Sequence, residues 1–141
     1  MKTISTIMTV SPVVANPSNK FSQVLRLFTE FPVHHLPVVN ADNTLIGIIS
    51  SNDLPKVFLS LCNQPTPVLM TMDVIDREIK ITDLMTSNPV TISSNDSITK
   101  AADIFATKRF MALPVVDDGV LLGIVSIKDV MAYFDYAMVE A

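Results

Sequence analysis

The stretch Leu36-Pro37-Val38-Val39, with Gly47-Ile48-Ile49-Ser50 shortly after it, occurs twice in this chain. The second copy reads Leu113-Pro114-Val115-Val116 and Gly123-Ile124-Val125-Ser126, with one residue fewer between its two pieces. The flanking sequence corresponds too and in the same order, so the chain is an internal duplication. The further matches are Ile4–Thr9 with Ile81–Thr86, Pro12-Val13 with Pro89-Val90, and Asp53 with Asp129.

A helix is predicted in the first half of each copy. Apolar residues recur at i, i+3, i+4 and i+7 from Phe21 and again from Ile98, which is the spacing of one helix face. Asn95 or Asp96 is expected to cap the second of these helices, because short polar side chains accept from the first free N–H groups. A closing helix is expected to begin near Ser51 in the first copy and in the matching place in the second.

Extended segments rich in Val, Ile and Thr complete each copy, so the predicted element order is β-α-β-β-α. Asp and Asn separate the last two strands of each copy, and those strands are therefore predicted hairpins. The predicted extended segments are 12–15, 36–39 and 45–49 in the first copy, and 89–92, 113–116 and 120–125 in the second.

The fold class that follows is α+β, an α/β sandwich. One half of the chain buries too little apolar surface to be stable on its own. Two β-α-β-β-α repeats are therefore expected to pack sheet to sheet around a pseudo-two-fold axis. The predicted organisation is a first repeat at 1–61, a connector with a short helical portion at 62–80, and a second repeat at 81–141.

Composition narrows the function classes. The 141 residues are 49% hydrophobic and carry a formal net charge of −4 without a basic stripe, so nucleic acid is not an expected partner. The apolar runs are too short to cross a bilayer, no signal peptide is recognisable at the N-terminus, and no membrane partner is expected. Cys62 is the only cysteine and has no internal partner. These features predict a cytoplasmic location.

The duplicated pieces quoted above resemble the tandem cystathionine-β-synthase (CBS) domain pair, or Bateman module, over nearly the whole chain except the connector. The resemblance implies a regulatory module that binds an adenosine-containing ligand, in the series AMP, ADP and ATP, in the cleft between the repeats. It also implies a homodimer, and an effector protein, unknown here, that reads the bound state in trans.

The resemblance assigns ribose binding to Asp53 and Asp129, and phosphate binding to Ser50 and Ser126. A helix that starts just after Ser50 would add free N–H groups and a positive partial charge, which suit phosphate. Gly47 and Gly123 would let ligand or backbone approach closely. The alternative for each Ser and Asp is an ordinary helix cap.

The pair His34-His35 is a further candidate for phosphate, since family members that sense nucleotides carry a basic pair in this place. A bound dianion should raise the imidazole pKa, and binding would then strengthen below pH 7. The alternative is a pair of surface histidines at a strand edge. The second copy has Met111 and Ala112 instead, so two unequal sites are expected. Lys128 is a third phosphate candidate, with an exposed lysine as the alternative.

An adenine pocket is expected from residues beside the repeated strands, and catalysis is not expected. No nucleophile triad, Walker loop, metal cluster or dinucleotide fingerprint is recognisable, so no catalytic cofactor and no metal are predicted. Three alternatives stay open: a module without ligand that serves dimerisation, the same fold binding S-adenosylmethionine, NADH or a divalent ion, and a weak nucleotide hydrolase. The pocket candidates are Ser11, Val33, Asn88, Phe110, Met111 and Ala112.

Overall fold

A computed structural model describes residues 2–63 and 71–140, and their side chains except at 58 and 136–140. The chain forms two compact units. Unit 1 consists of Met1–Pro12 with Pro89–Ala141, and unit 2 consists of Val13–Asn88. Mixed helices and two separate sheets confirm the α+β fold class. Residues 64–70 of the predicted connector lie outside the described residues.

The described residues of unit 2 form an antiparallel sheet in the order β2-β3-β4, four α-helices and a 3-10 helix at Ser51–Asp53. Strand β2 is the more deeply buried strand of its hairpin, and Ala15 adds a parallel bridge to Val38 at its side. The predicted hairpin is confirmed, with Asn43 in the left-handed conformation of its turn. The elements are β2 (His35–Val39), β3 (Leu45–Ser50), β4 (Thr86–Ser87), α1 (Phe21–Glu30), α2 (Leu54–Cys62), α3 (Met72–Glu78) and α4 (Ile81–Leu84).

Unit 1 repeats this plan, and its described residues form a sheet in the order β1-β6-β5, two α-helices and a 3-10 helix at Ile4–Thr6. Its hairpin turns through Asp118 and Gly119, both at positive φ, as a two-residue turn requires. Ile92 bridges Val115 in the way that Ala15 bridges Val38. The elements are β1 (Thr9–Val10), β5 (Ala112–Asp117), β6 (Val120–Ser126), α5 (Ile98–Thr107) and α6 (Ile127–Glu140).

The two repeats exchange their first segments. Strand β1 belongs to the first repeat but pairs with β6 of unit 1, and β4 belongs to the second repeat but pairs with β3 of unit 2. The chain passes from one unit to the other at Pro12-Val13 and at Asn88-Pro89. Ser11 and Asn88, at or next to these crossings, both have positive φ. The compact units therefore differ from the sequence repeats, because edge pairing joins segments that the repeat boundaries separate.

Capping of α5 differs from the prediction. Ser97 is the N-cap and its hydroxyl accepts from the Lys100 N–H at 3.1 Å. Asp96 instead accepts from the Ser93 N–H at 2.9 Å, one turn before the helix, and pairs with the Lys100 ammonium at 3.1 Å. The adjacent polar residues all have capping chemistry, so sequence alone does not decide which one takes the cap.

The connector contributes helix α3 to unit 2, where it covers part of the core. Ile75 is buried in a cluster with Phe21, Val57 and Leu61. Asp76 accepts from the backbone N–H of Ser22 at 2.8 Å and from its hydroxyl at 2.6 Å, which fastens α3 to the start of α1. The predicted short helical portion is confirmed.

Candidate ligand-binding site

In unit 2, a strand end, a 3-10 turn and a helix start form a junction around Ser50 and Asp53. The Asp53 carboxylate accepts from the Ser50 N–H at 2.8 Å, and the Ser50 hydroxyl accepts from the Asn52 N–H at 3.2 Å. His35 pairs with Ser50 across the hairpin, and the Ser51 N–H donates to the His34 carbonyl oxygen at 2.9 Å. We call His34, His35, Ser50 and Asp53 the His junction.

Unit 1 contains the same arrangement. Asp129 accepts from the Ser126 N–H at 2.8 Å, and the Ser126 hydroxyl accepts from the Asp129 N–H at 3.2 Å. Ala112 pairs with Ser126, and the Ile127 N–H donates to the Met111 carbonyl oxygen at 3.0 Å. We call Met111, Ala112, Ser126 and Asp129 the Met junction. The hydrogen bonds put Met111 and Ala112 at the positions of His34 and His35, as the sequence alignment predicted.

The N–H groups at the start of these helices are largely occupied. Within the His junction the first N–H groups donate to Asp53, to the His34 carbonyl and to the Ser50 hydroxyl. The expectation that free helix N–H groups would hold a phosphate is therefore wrong for these groups, because the capping side chains satisfy them first. A serine hydroxyl that accepts in this way still has its own proton to donate.

The carboxylates of Asp53 and Asp129 differ in how many of their acceptor positions are occupied. Asp53 has a side chain 16% exposed, and its Oδ1 atom lies 3.2 Å from the Lys56 ammonium. At Asp129, no residue of the described chain donates to Oδ1, and Ala132 stands where unit 2 has Lys56. Lys56 was missed by sequence reasoning, although its i+3 spacing from Asp53 on a helix start is a readable signal.

His35 is half-buried beside this carboxylate. Burial lowers the pKa of its imidazole below the ordinary value of 6.5, the neighbouring His34 lowers it further, and Asp53 acts in the opposite direction. Because burial dominates, the neutral form of the His35 imidazole is favoured at pH 7. An imidazole in this state can still donate one N–H, and a bound dianion would favour its charged form.

Gly47 and Gly123 are close-approach positions, and the atoms that approach them belong to the protein. A Cβ on Gly123 would lie 2.5 Å from the Thr9 carbonyl oxygen and 3.0 Å from the Met8 sulfur. A Cβ on Gly47 would meet the Met85 thioether and would lie 2.9 Å from the Thr86 carbonyl oxygen. The absence of a side chain at these glycines makes room for the exchanged strands β1 and β4. Of the two predicted possibilities, ligand or backbone, it is backbone that approaches both glycines.

The remaining candidates divide between the units. Phe110 is 36% exposed beside the Met junction, Lys128 is exposed at the start of α6, and Val33 precedes the His junction and packs on the core of unit 2. Ser11 and Asn88 lie near the far ends of β6 and β3, where their N–H groups face Leu122 and Ile46. Leu122 and Ile46 lie four residues before Ser126 and Ser50 on their strands. Ser11 and Asn88 are therefore each about 13 Å along the strand from the serine of their own unit. Their part in a base pocket stays a prediction.

Residues 2–63 and 71–140 contain no group of three or more His, Cys, Asp or Glu side chains placed to hold a metal ion. Within the same ranges, no helix is long and apolar enough to span a bilayer.

The family model of the CBS domain matches residues 4–60 and 81–136. The chain belongs to the CBS domain family. CBSX2, a CBS-pair protein from Arabidopsis thaliana, is similar in structure. Its complex with AMP superposes with a TM-score of 0.80 at 29% identity, over 98% of this chain and 99% of CBSX2. The CBS domain pair of MJ0100, in complex with 5′-methylthioadenosine and S-adenosyl-L-methionine, shares the fold at a TM-score of 0.78 and 22% identity.

Among sequence relatives, MJ1225 of Methanocaldococcus jannaschii is 31% identical over 133 residues. The match covers 93% of this chain and 46% of MJ1225. This chain therefore spans about half the length of that relative, and its match to an inosine-5′-monophosphate dehydrogenase of Aquifex aeolicus covers 23% of the enzyme.

Proposed function

We propose that this CBS pair is a regulatory module that binds an adenosine-containing ligand, in the series AMP, ADP and ATP, and has no catalytic activity of its own. The observation that carries the proposal is the duplicated pair of a serine hydroxyl and an aspartate carboxylate at a strand end. In both units the aspartate retains acceptor capacity beyond its bond to the serine N–H. The AMP complex of CBSX2 supports the ligand class.

The proposed roles follow the chemistry of the two junctions. Asp53 and Asp129 accept from the two hydroxyls of a ribose, and the free protons of Ser50 and Ser126 are available to the ligand. Positive charge for phosphate comes from side chains, since most N–H groups at the helix starts have partners in the chain. His34, His35 and Lys128 are the proposed phosphate residues. Ser11, Val33, Asn88, Phe110, Met111 and Ala112 are the proposed surroundings of the base.

We also propose that the module acts on a partner protein and pairs with a second copy of itself. Met131 is 63% exposed and Phe134 is 39% exposed on α6, three residues apart on one helix face. An exposed apolar stripe of this kind suits a helix-to-helix contact. Ligand would alter the output only if it binds one arrangement of the module more tightly than another.

Thermal unfolding with added AMP, ADP, ATP and S-adenosylmethionine tests the binding proposal. Ligand at 100 times its dissociation constant should stabilise the protein by about 2.7 kcal/mol, and Asp53→Ala with Asp129→Ala should remove most of the shift. Each variant is compared with its own ligand-free melting temperature, so the loss of a cap cancels.

Asp96→Ala is the matched control. Asp96 accepts from a serine N–H three residues earlier and pairs with a lysine ammonium, as Asp53 does, but it lies before α5, outside both junctions. The control should lose stability yet keep the full ligand shift. Absence of a shift for the unmodified protein with all four compounds would favour the dimerisation module without ligand.

A further inference from the structure

The hairpin turns of the two units differ in how firmly their polar groups are held. In unit 1 the turn consists of Asp118 and Gly119, which connect the paired residues Asp117 and Val120. Both turn residues are exposed, and both have positive φ. They form the only Asp-Gly or Asn-Gly step in the 141 residues of the chain.

An aspartate followed by glycine can react with its own backbone. The nitrogen of the following residue attacks Cγ of the side-chain carboxyl, a C–N bond forms and a C–O bond breaks. The nitrogen gives up its proton and one water leaves, which produces a five-membered succinimide ring. Water then adds back at either ring carbonyl. When it cleaves the bond between the nitrogen and the former backbone carbonyl carbon, the chain continues through the side chain, as isoaspartate. Because both reacting groups belong to neighbouring residues, the reaction is intramolecular and needs no co-reactant except water.

The reacting groups of the unit 1 turn are unrestrained within residues 2–63 and 71–140. No hydrogen bond or ion pair in these ranges holds the Asp118 carboxylate, and the Gly119 N–H has no acceptor there. A Cβ built on Gly119 would meet nothing within 4 Å, so the turn has open space around the attacking nitrogen. Glycine also has no side chain that could shield this nitrogen.

The turn of unit 2 holds the corresponding groups. The Asn43 N–H, whose nitrogen would attack Asp42, donates to the Asn40 carbonyl oxygen at 2.9 Å. The Thr44 N–H, whose nitrogen would attack Asn43, donates to Oδ1 of Asp42 at 3.2 Å, so this carboxylate is engaged as well. The β-branched side chain of Thr44 crowds its own nitrogen. Unit 2 therefore provides an internal reference in which the same reaction is opposed.

We infer that Asp118-Gly119 is a site of spontaneous isoaspartate formation, and that the modification releases the serines held by Asp117. Isoaspartate adds one carbon atom to the backbone of a two-residue turn, and Asp117 and Val120 then lose their register. The product also has a free α-carboxylate at an exposed position, which is the group that an isoaspartate-directed methyltransferase would esterify.

The register of β5 matters because Asp117 holds a distant segment. Its carboxylate accepts from the hydroxyls of Ser93 and Ser94 and from the Ser94 N–H at 3.1 Å. A shift of Asp117 would leave these donors without their acceptor, which is costly for part-buried groups. The modification should therefore loosen unit 1 near the start of α5 and leave unit 2 unchanged.

Ageing of the intact protein near neutral pH tests the first part of the inference. A synthetic peptide with the sequence of residues 114–123, kept in the same buffer, gives the rate without the fold. The protein should form isoaspartate at Asp118 at no less than about a tenth of the peptide's rate. Peptide maps with products of equal mass, and enzymatic methylation of the free α-carboxyl, measure it. A slower rate in the protein would overturn the inference, because the folded turn would then protect the step.

Two variants separate the effect of the open turn from that of the dipeptide. Gly119→Asn keeps a residue that tolerates positive φ and should lower the rate at Asp118 about tenfold, since its side chain shields the nitrogen. Asn43→Gly creates the same dipeptide at Asp42, where the N–H and the carboxylate are both engaged, and should react at under about a tenth of the rate at Asp118. Equal rates in the two turns would show that the dipeptide alone decides, and the structural argument would be wrong.

Hydrogen exchange after ageing tests the release of the serines. Compared with aged Gly119→Asn, the aged protein should contain a population in which the amides of Ser94 and of residues 113–116 exchange at least about tenfold faster. The amides of residues 36–39 in unit 2 should exchange equally in both samples. Unchanged exchange in unit 1, in a sample shown to contain isoaspartate, would overturn the proposed effect on Asp117.

Discussion

The two units build the same hairpin and the same strand-end junction, but they anchor the start of the first helix differently. In unit 2, Asp76 of the connector reaches Ser22 and accepts from its N–H and its hydroxyl. In unit 1, Asp117 at the end of β5 accepts from the hydroxyls of Ser93 and Ser94 and from the Ser94 N–H at 3.1 Å. A carboxylate from a distant segment satisfies serine donors near the helix start in both cases.

The difference teaches which parts of a duplicated fold are interchangeable. The serine and aspartate of each junction are three residues apart and bond to each other, so each copy carries its own complete pair. The serines near the helix starts bond to carboxylates 23 to 54 residues away, and the carboxylate differs between the two copies. The distant residue that holds the helix start can therefore differ between the copies, provided that the buried donors are satisfied.

Substitutions at the glycines that face the exchanged strands are expected to have the largest effect on stability. Gly123→Ala should destabilise the protein by about 3 kcal/mol, because the new methyl group meets the Thr9 backbone oxygen and the strand must move. Gly47→Ala should have a smaller effect, since the nearest atoms belong to the flexible Met85 side chain, although the Thr86 oxygen is also close. Urea denaturation gives both values.

Gly119→Ala is the control for these two variants. Nothing lies within 4 Å of a Cβ built there, so only its φ of +80° opposes the substitution, at about 1 kcal/mol. A Gly123→Ala variant as stable as Gly119→Ala would show that β1 does not press on β6 in solution.

The connector anchor should have an intermediate effect. Asp76→Ala removes both acceptors of Ser22 and should lower the free energy of unfolding by about 2 kcal/mol in urea. Asp73→Ala on the same helix is the matched control, because Asp73 is exposed in the first turn of α3 and should change stability by under about 0.5 kcal/mol. Equal effects of the two variants would mean that α3 does not hold α1.

Local sequence signals predicted much of this molecule. The repeat, the hairpins and the alignment of His34-His35 with Met111-Ala112 follow from collinear matches and periodic apolar residues, and the structure confirms them. The exchange of β1 and β4 could not be predicted, because two-residue strands carry no periodicity and pair with partners far along the chain. The Asp76 and Asp117 anchors were missed for the same reason, since a lone Asp in a turn or a short helix has many local uses. The ligand roles of the junction residues remain predictions.

Acid should separate the two units by the pH at which each loses stability. His35 of unit 2 has a lowered pKa because burial opposes its charged form, with His34 adding to this and Asp53 opposing it. As the pH falls below the ordinary value of 6.5, the unfolded chain takes up a proton that the folded chain resists, so stability decreases. His35→Gln should flatten the fall of melting temperature in this window.

Asp117 of unit 1 acts in a lower window. Hydrogen bonds from the Ser94 side chain, the Ser93 side chain and the Ser94 N–H hold its pKa below 3.8. Its contribution is therefore complete above pH 3.8 and is lost as the pH falls through the folded-state pKa. Asp117→Asn should reduce the slope of melting temperature against pH there without removing it, because Asp96 and Asp42 also have lowered pKa values. If His35→Gln and Asp117→Asn altered the melting temperature in the same pH range, mild and strong acid would act on one common set of groups. The predicted difference between the two units would then be wrong.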